Sequence, residues 1–152
     1  MIVGVGLMGQ YIANHIGQWL GLQRLILVDH SPEILVGTER QSLGDFARSV
    51  QASNRYGPQV HAEVVNVTDE TSTRELFERH RDLRYWLHTA GVSPRPLTPP
   101  EQLTKSDVLG AFEINLWGAM NVLKCGILSG AFVPRSRGVI LLSTSATVGS
   151  EG

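Results

Sequence analysis

Three glycines near the start of the chain are spaced like a turn that lets the backbone approach a phosphate closely. They form the pattern Gly4-x-Gly6-x-x-Gly9, with Leu7 and Met8 between the last two. A short apolar run precedes the pattern and a segment of helical periodicity follows it, which is the setting in which a helix N-terminus receives a pyrophosphate. Glycine is needed there because a Cβ would hold the backbone away from the ligand. We therefore expect these five residues to bind a dinucleotide.

A carboxylate stands at the position where such a site binds the ribose. Asp29 ends the next apolar run, 20 positions after Gly9, and would accept hydrogen bonds from the ribose hydroxyls. The same charge would repel a 2′-phosphate, and neither Arg nor Lys follows within His30, Ser31 and Pro32. This pattern favours NAD over NADP as the cofactor. The alternative is an ordinary glycine turn beside a surface aspartate.

The histidines and the single cysteine do not form a second cluster of functional residues. The five histidines (His15, His30, His61, His80 and His88) fall on different predicted elements and share no metal-ligand spacing, so no metal site is predicted. His88 differs from the others because it ends a predicted strand, where ligands approach sheets of this kind. Cys125, the single cysteine, is predicted to be a small core residue.

Short apolar runs alternate with segments of helical period along the chain. Strands are predicted over residues 1–3, 25–28, 60–67, 83–88 and 139–142. Helices are predicted over residues 7–20, 32–52, 68–80 and 101–128, the last as a short helix and then a long one. Ser31 and Thr68 are the expected N-caps of the second and third helices. Alternation of this kind predicts an α/β fold with a doubly wound parallel sheet of about five strands, the Rossmann architecture.

Length and composition limit the classes of protein that this chain can belong to. Its 152 residues suit one domain, and a net charge of −1 argues against nucleic acid or an anionic membrane as the main partner. No apolar run reaches the 18 residues that a membrane span needs. A single cysteine fits a reducing compartment, so we expect a cytoplasmic protein. The short first strand and the lack of a sixth strand suggest that residues 1–152 are one dinucleotide-binding domain, incomplete at both ends.

Four later motifs, taken in order, resemble the short-chain dehydrogenase/reductase family over essentially the whole chain. They are Asn66-Val67 after the third strand, His88-Thr89-Ala90-Gly91 after the fourth, the segment around Asn115, and the run from Gly138 to Ser145. The family's patterns at the first two places are Asp-Val and Asn-Asn-Ala-Gly, so Asn66, His88 and Thr89 depart from them. The opening glycines are closer to the family's extended branch, whereas the spacing from Asn115 to Ser145 is closer to its main branch.

The resemblance implies a role for each matched residue. Asn66 and Val67 would touch the adenine, with the Asn66 carbonyl accepting from its amino group. Thr89, Ala90 and Gly91 would lie along the cofactor. Asn115 would hold a proton-relay water, and Ser145, with Ser143 as the second choice, would orient the substrate's carbonyl or alcohol.

The family's proton transfer needs a Tyr-x-x-x-Lys pair, and none of Tyr11, Tyr56 and Tyr85 has a lysine four positions later. We expect the pair just beyond Gly152. The resemblance thus implies an NAD-dependent oxidoreductase that moves hydride between NAD(H) and an alcohol or carbonyl substrate, as a homodimer or homotetramer built on residues 110–128. Two alternatives stay open: a dinucleotide-binding module without catalysis, and a nucleotide-sugar epimerase or dehydratase of the extended branch.

Overall fold

Five parallel strands form the central sheet of the protein. The computed structural model describes residues 1–16, 21–53, 56–94 and 98–140. Across the sheet the strands run in the order β5-β2-β1-β6-β7, and every neighbouring pair is parallel. A separate antiparallel hairpin pairs β3 with β4. The strand bounds are β1 Ile2–Val3, β2 Arg24–Asp29, β3 Glu33–Val36, β4 Glu39–Ser42, β5 Gln59–Val64, β6 Leu83–His88 and β7 Phe132–Ile140.

Helices cover both faces of this sheet. Their bounds are α1 Leu7–Ile16, α2 Leu43–Ala52, α3 Glu70–Arg79, α4 Lys105–Phe112 and α5 Ala119–Leu128. One face packs Phe46 and Val50 of α2 against β2, and the opposite face packs Phe77 of α3 and Val122 of α5 against β1 and β2. Because β2 reads Leu25-Ile26-Leu27-Val28 and is buried on both sides, no alternation of polar residues is possible there. The predicted doubly wound α/β fold is confirmed.

Residues 32–52, predicted to form one helix, differ most from the prediction. Its first half is the β3–β4 hairpin, and only Leu43–Ala52 is helical. Gly37 turns the hairpin at φ +61°, and Ile34 is buried against the core while its neighbours face outward. Ser31 therefore caps no helix. The helix cap is Ser42, whose hydroxyl accepts a hydrogen bond from the Asp45 N–H at 2.9 Å.

Several predicted bounds also change. The third helix is capped by Asp69 rather than Thr68, because the Asp69 carboxylate accepts from the Ser72 N–H at 2.9 Å. Strand β5 ends at Val64 rather than at residue 67. The next residue, Val65, lies outside the strand, and its N–H donates to the Asp29 carbonyl. Strand β7 begins at Phe132, seven residues before the predicted start at residue 139. The predicted continuations at residues 17–20 and 141–142 lie outside the described residues.

The long helical region predicted over residues 101–128 is broken into four pieces. A 3₁₀ turn at Pro100–Gln102 precedes α4, and a π-helical segment, Glu113–Gly118, joins α4 to α5. Thr104 and Asp107 form a reciprocal capping box at the start of α4. Within the described part of the chain, no helix has the length and apolar character needed to cross a bilayer.

Candidate dinucleotide site

A cleft of about 660 Å³ opens where the carboxyl ends of the central strands meet α4 and the π segment. Its walls come from the ends of β1 and β2, from the residues that follow β1, β2, β5 and β6, and from Gly110, Glu113 and Ile114. Eight of the residues predicted to bind cofactor line it: Gly4, Gly6, Asp29, Asn66, Val67, Thr89, Ala90 and Gly91. Ligands of doubly wound sheets bind at this edge, outside the strand ends.

The three glycines of the opening turn have different local environments. Gly4 has φ +96°, and an added Cβ would overlap the Ala90 backbone. Gly9 packs its α-carbon on the Gly4 carbonyl, so a Cβ there would overlap the carbonyl oxygen. Gly6 has nothing within 4 Å of the place a Cβ would take, and it lines the cleft. Gly4 and Gly9 thus allow the turn to pack, while Gly6 leaves room for a group in the cleft.

The predicted residues between the second and third glycines stand apart from the cleft walls. Leu7 and Met8 begin α1, and their side chains are exposed. Neither they nor Gly9 lines the cleft. What they can offer a phosphate is the N-terminal end of α1, whose first N–H groups lack partners within the helix.

Asp29 holds the glycine turn as well as facing the cleft. One carboxylate oxygen, Oδ2, accepts the Val5 N–H at 2.7 Å. The other, Oδ1, accepts the Ser31 N–H at 3.1 Å and lies 3.1 Å from His30 Nδ1. Only 11% of the Asp29 side chain is exposed. The carboxylate is therefore fixed in place at the strand end, and Oδ2, with one partner among the described residues, retains capacity to accept a second hydrogen bond.

Thr89 joins the end of β6 to the same turn. Its hydroxyl donates to the Gly4 carbonyl at 2.6 Å, and its N–H donates to the Val3 carbonyl at 2.7 Å. Thr89 occupies the second position of the motif after β6 and departs there from the family's asparagine. The hydroxyl supplies a link between β6 and the glycine turn.

Gln10 contributes to the site and was not singled out in the sequence. Its side-chain amide donates to the Val5 carbonyl at 2.9 Å and to the Leu35 carbonyl at 2.8 Å. It thereby connects the glycine turn to strand β3, and it is 7% exposed. The available signal was a glutamine directly after Gly9, at a helix position that packs inward.

Asn66 forms a local turn at the far wall of the cleft. Its Oδ1 accepts from the Thr68 N–H at 3.1 Å and from the Thr68 hydroxyl at 3.0 Å. Since an N–H can only donate, these bonds also identify which end of the carboxamide is the oxygen. The residue that follows, Val67, is buried, and its carbonyl accepts from Asn121 Nδ2 at 2.9 Å.

Asn115 holds the loop that follows β6 through two hydrogen bonds. Its Oδ1 accepts the Val92 N–H at 2.8 Å and its Nδ2 donates to the Val92 carbonyl at 2.9 Å. Asn115 lies in the π segment, a conformation that is frequent at functional sites. A Cβ on Gly91 would stand 3.3 Å from Asn115 Oδ1, so Gly91 permits this close approach. The other predicted catalytic residue, Ser145, and its second choice, Ser143, lie outside the described residues.

His88 ends β6 but faces the core rather than the cleft. Its side chain is fully buried, and neither ring nitrogen has a hydrogen-bond partner among the described residues. Burial lowers the pKa of His88 to about 4, because the surroundings disfavour the charged ring, and the nearby Ala90 backbone opposes this shift only weakly. The ring is therefore neutral near pH 7, and it does not line the cleft.

The five-stranded parallel sheet with helices on both faces is a Rossmann-like α/β fold, and solved structures share it. The chain is similar to a short-chain type dehydrogenase/reductase from Mycobacterium ulcerans, with a TM-score of 0.66 and 19% identity over 84% of this chain and 44% of that one. A short chain dehydrogenase from Mycobacterium smegmatis matches with a TM-score of 0.65 and 17% identity, over 84% of this chain and 50% of that one. A short-chain dehydrogenase/reductase from Vibrio parahaemolyticus matches with a TM-score of 0.59 and 18% identity, over 84% and 54% of the two chains.

These similarities show the fold, since the sequences are less than a quarter identical. The chain spans about half the length of the solved structures named here. No protein-family model matches the chain, and no curated protein sequence matches it.

Proposed function

We propose that the chain binds NAD(H) and forms the cofactor-binding part of a short-chain dehydrogenase/reductase that oxidises an alcohol or reduces a carbonyl. One observation carries the proposal: Gly6 leaves open space in the cleft beside the fixed carboxylate of Asp29. A pyrophosphate needs close backbone approach and free N–H groups, and an adjacent ribose needs an acceptor. In this proposal the glycine turn and the start of α1 meet the first two needs, and Asp29, at the end of the neighbouring strand β2, meets the third.

Each wall of the cleft has a role in this proposal. The glycine turn and the start of α1 hold the pyrophosphate, and Asp29 accepts from the adenosine ribose. Thr89, Ala90 and Gly91 lie along the cofactor at the end of β6. When bound, the nicotinamide supplies the hydride chemistry. Asn115 fixes the loop beside that ring through the Val92 backbone, and Ser145 is proposed to orient the substrate oxygen.

Dinucleotide titrations of the full-length protein test the proposal directly. We expect saturable binding of NAD, with NADP weaker because the Asp29 charge opposes a 2′-phosphate. Asp29→Asn keeps an oxygen for the Val5 N–H and removes the charge. We expect this variant to shift the NADP/NAD affinity ratio toward NADP by about tenfold, as one lost charge repulsion of about 1.4 kcal/mol would do. Glu39→Gln, a neutralised exposed carboxylate on β4, is the matched control and should leave the ratio unchanged.

Two results would contradict the proposal. Absence of saturable NAD binding would remove the cofactor and the oxidoreductase activity with it. An unchanged NADP/NAD ratio in Asp29→Asn would mean that Asp29 only holds the turn. If NAD binds but the full-length protein oxidises no alcohol, the chain is a binding module without catalysis.

We also propose that the protein is a homo-oligomer, with a second copy covering an apolar patch. The patch consists of Leu109, Phe112, Leu116, Trp117 and Met120, on α4, the π segment and α5. All five side chains are at least 43% exposed, and contiguous apolar surface of this kind marks interaction sites. Leu116→Glu should lower the molar mass in sedimentation equilibrium, whereas Leu35→Glu, an exposed leucine on β3, should not. A wild-type monomer would refute this assembly.

A further inference from the structure

Gln10 holds the glycine turn from a position outside the cleft. Its side chain is buried, and the residue does not line the cleft. Its Nε2 donates to the Val5 carbonyl at 2.9 Å and to the Leu35 carbonyl at 2.8 Å. An amide nitrogen carries two hydrogens, so both are used, and the carboxamide cannot rotate without breaking a bond. The bond to Leu35 on β3 therefore fixes the orientation in which the bond to Val5 is made.

The bond to Val5 also sets the direction of the next N–H along the chain. The Val5 carbonyl and the Gly6 N–H belong to one peptide group, and a trans peptide points the two in opposite directions. The described residues contain no cis peptide. Because the carbonyl is turned toward the buried amide of Gln10, the Gly6 N–H points away from that amide.

The Gly6 N–H is a free donor at the surface of the cleft. It donates to none of the described residues, and Gly6 is exposed and lines the cleft. The N–H of Val5 is held as well, by Asp29 Oδ2 at 2.7 Å. Side chains from two elements thus fix the peptide groups on both sides of Val5. A donor that is fixed before the ligand arrives loses less conformational entropy on binding.

We propose that Gln10 is a positioning residue for the pyrophosphate: through the Val5 carbonyl it directs the Gly6 N–H toward a phosphate oxygen of the bound dinucleotide. The inference rests on the proposed function, because the phosphate is that of the proposed cofactor. It also gives the β3–β4 hairpin a role in binding, since the Leu35 carbonyl takes the second hydrogen of the same amide. Gln10 itself does not touch the ligand.

Amide NMR of the full-length protein with isotope-labelled glycine tests the wild type first. The probes are NAD, ADP and adenosine. We expect NAD and ADP to move the Gly6 N–H signal downfield, because a phosphate oxygen accepts from it. Adenosine has no phosphate and should leave the signal in place. A Gly6 signal that NAD does not move, in a protein that binds NAD, overturns the assignment.

Gln10→Met removes the donor and keeps a side chain of similar length. We expect NAD and ADP to bind about threefold to tenfold more weakly, the range for one hydrogen bond lost. Adenosine should bind as it does to the wild type, because it makes no use of the Gly6 N–H. Equal losses for ADP and adenosine would show that Gln10 only supports the fold of the turn, and they would overturn its positioning role.

Gln10→Glu adds a readout in pH. An ionised carboxylate has no donor and faces two carbonyl oxygens, whereas the protonated acid has one O–H to donate. Since burial favours the protonated form, the affinity for NAD relative to the wild type should recover as the pH falls from about 8 to about 5.5. Gln41→Glu, at a half-buried glutamine on β4, is the matched control, and its relative affinity should not change with pH. A flat profile for Gln10→Glu would contradict the inference.

The outcomes separate this inference from the proposed function. If the wild type binds NAD and both Gln10 variants bind it as tightly, Gln10 does not position the turn, and the proposed cofactor site stands. If the wild type binds neither NAD nor ADP, both proposals fail. Thermal unfolding of each variant verifies that the compared proteins are folded.

Discussion

The two sides of the cleft are built on different principles. On the β1–β2 side, close backbone approach sets the geometry: Gly4 packs on Ala90, and the Asp29 carboxylate holds the Val5 N–H. On the β6–α4 side, one carboxamide, that of Asn115, holds the loop through two bonds to Val92. The first side depends on glycines without side chains and on the Asp29 carboxylate, and the second depends on the side chain of Asn115 alone. Substitutions should therefore disturb the folding of the first side and the local order of the second.

The largest expected effects come from alanine substitutions at Gly4 and Gly6. The two variants should separate the packing of the glycine turn from its binding of a ligand. In Gly4→Ala the new Cβ overlaps the Ala90 backbone, and the residue must keep φ +96°. We expect a loss of about 3 kcal/mol or more in the free energy of unfolding, from strain and overpacking together. Gly6→Ala meets open space and an ordinary φ, so the variant should fold normally and bind NAD weakly. Denaturant unfolding and NAD titration of both variants measure the two effects.

The opposite pattern would refute the distinction between the two glycines. If Gly6→Ala unfolds more easily than Gly4→Ala, the turn does not pack as described. Normal NAD affinity in Gly6→Ala would mean that no ligand group occupies the space beside that glycine.

His88, buried at the end of β6 on the second side, should make the free energy of unfolding depend on pH. Burial lowers its pKa from 6.5 to about 4 in the folded state, whereas the unfolded chain keeps the ordinary value. The unfolded state therefore binds more protons in this range, and stability falls as the pH is lowered from about 6.5 to about 4. The loss should be on the order of 3 kcal/mol, because each tenfold difference in proton affinity between the two states corresponds to about 1.4 kcal/mol.

His88→Leu removes the titrating ring, and with it this pH-dependent part of the stability, while filling a similar volume. Near pH 7 its stability should equal or exceed that of the wild type, because the two ring nitrogens lack partners among the described residues. At a pH of about 4.5, within the range where the His88 penalty develops, it should be clearly more stable than the wild type in urea unfolding. His61→Leu, at an exposed histidine on β5, serves as the control and should keep the acid loss. Parallel pH profiles for the wild type and His88→Leu would refute the prediction.

The same difference between the two sides explains what could be predicted from the sequence. The glycine spacing and the carboxylate 20 positions later are visible in the sequence, because the backbone of the turn requires these residue types at fixed positions. Strand β2 was predicted to within one residue at each end, because a parallel strand buried on both faces needs an apolar run. The hairpin at β3 and β4 was missed because Ser31 followed by Pro32 fits the start of a helix, so the helix was predicted to begin at residue 32. The Ser42 and Asp45 cap was the readable signal for the true helix start.

Contacts between side chains and distant backbone could not be predicted. Asn115 and Val92 are 23 positions apart, and no pattern in the sequence announces a π segment at Glu113–Gly118. The orientation of the Asn66 carboxamide depends on two hydrogen bonds from Thr68, two residues later, and residue type alone leaves the carboxamide free to face either way. The role of Ser145 stays a prediction.

The smallest expected effect concerns the second side, where Asn115→Ala removes both bonds to Val92. Each bond contributes about 1 kcal/mol, so the free energy of unfolding should fall by about 1–2 kcal/mol while the sheet stays folded. The sharper readout is amide hydrogen exchange: the Val92 N–H, held by Asn115 Oδ1 at 2.8 Å, should exchange faster in the variant. The Val65 N–H, which bonds to the Asp29 carbonyl on the first side, should keep its rate. Asn115→Asp retains an acceptor for the Val92 N–H and loses the donor to the Val92 carbonyl. In this variant the Val92 N–H should exchange at a rate between those in the wild type and in Asn115→Ala. Equal acceleration at Val65 and Val92 in Asn115→Ala would show that the two sides open together and are not independent.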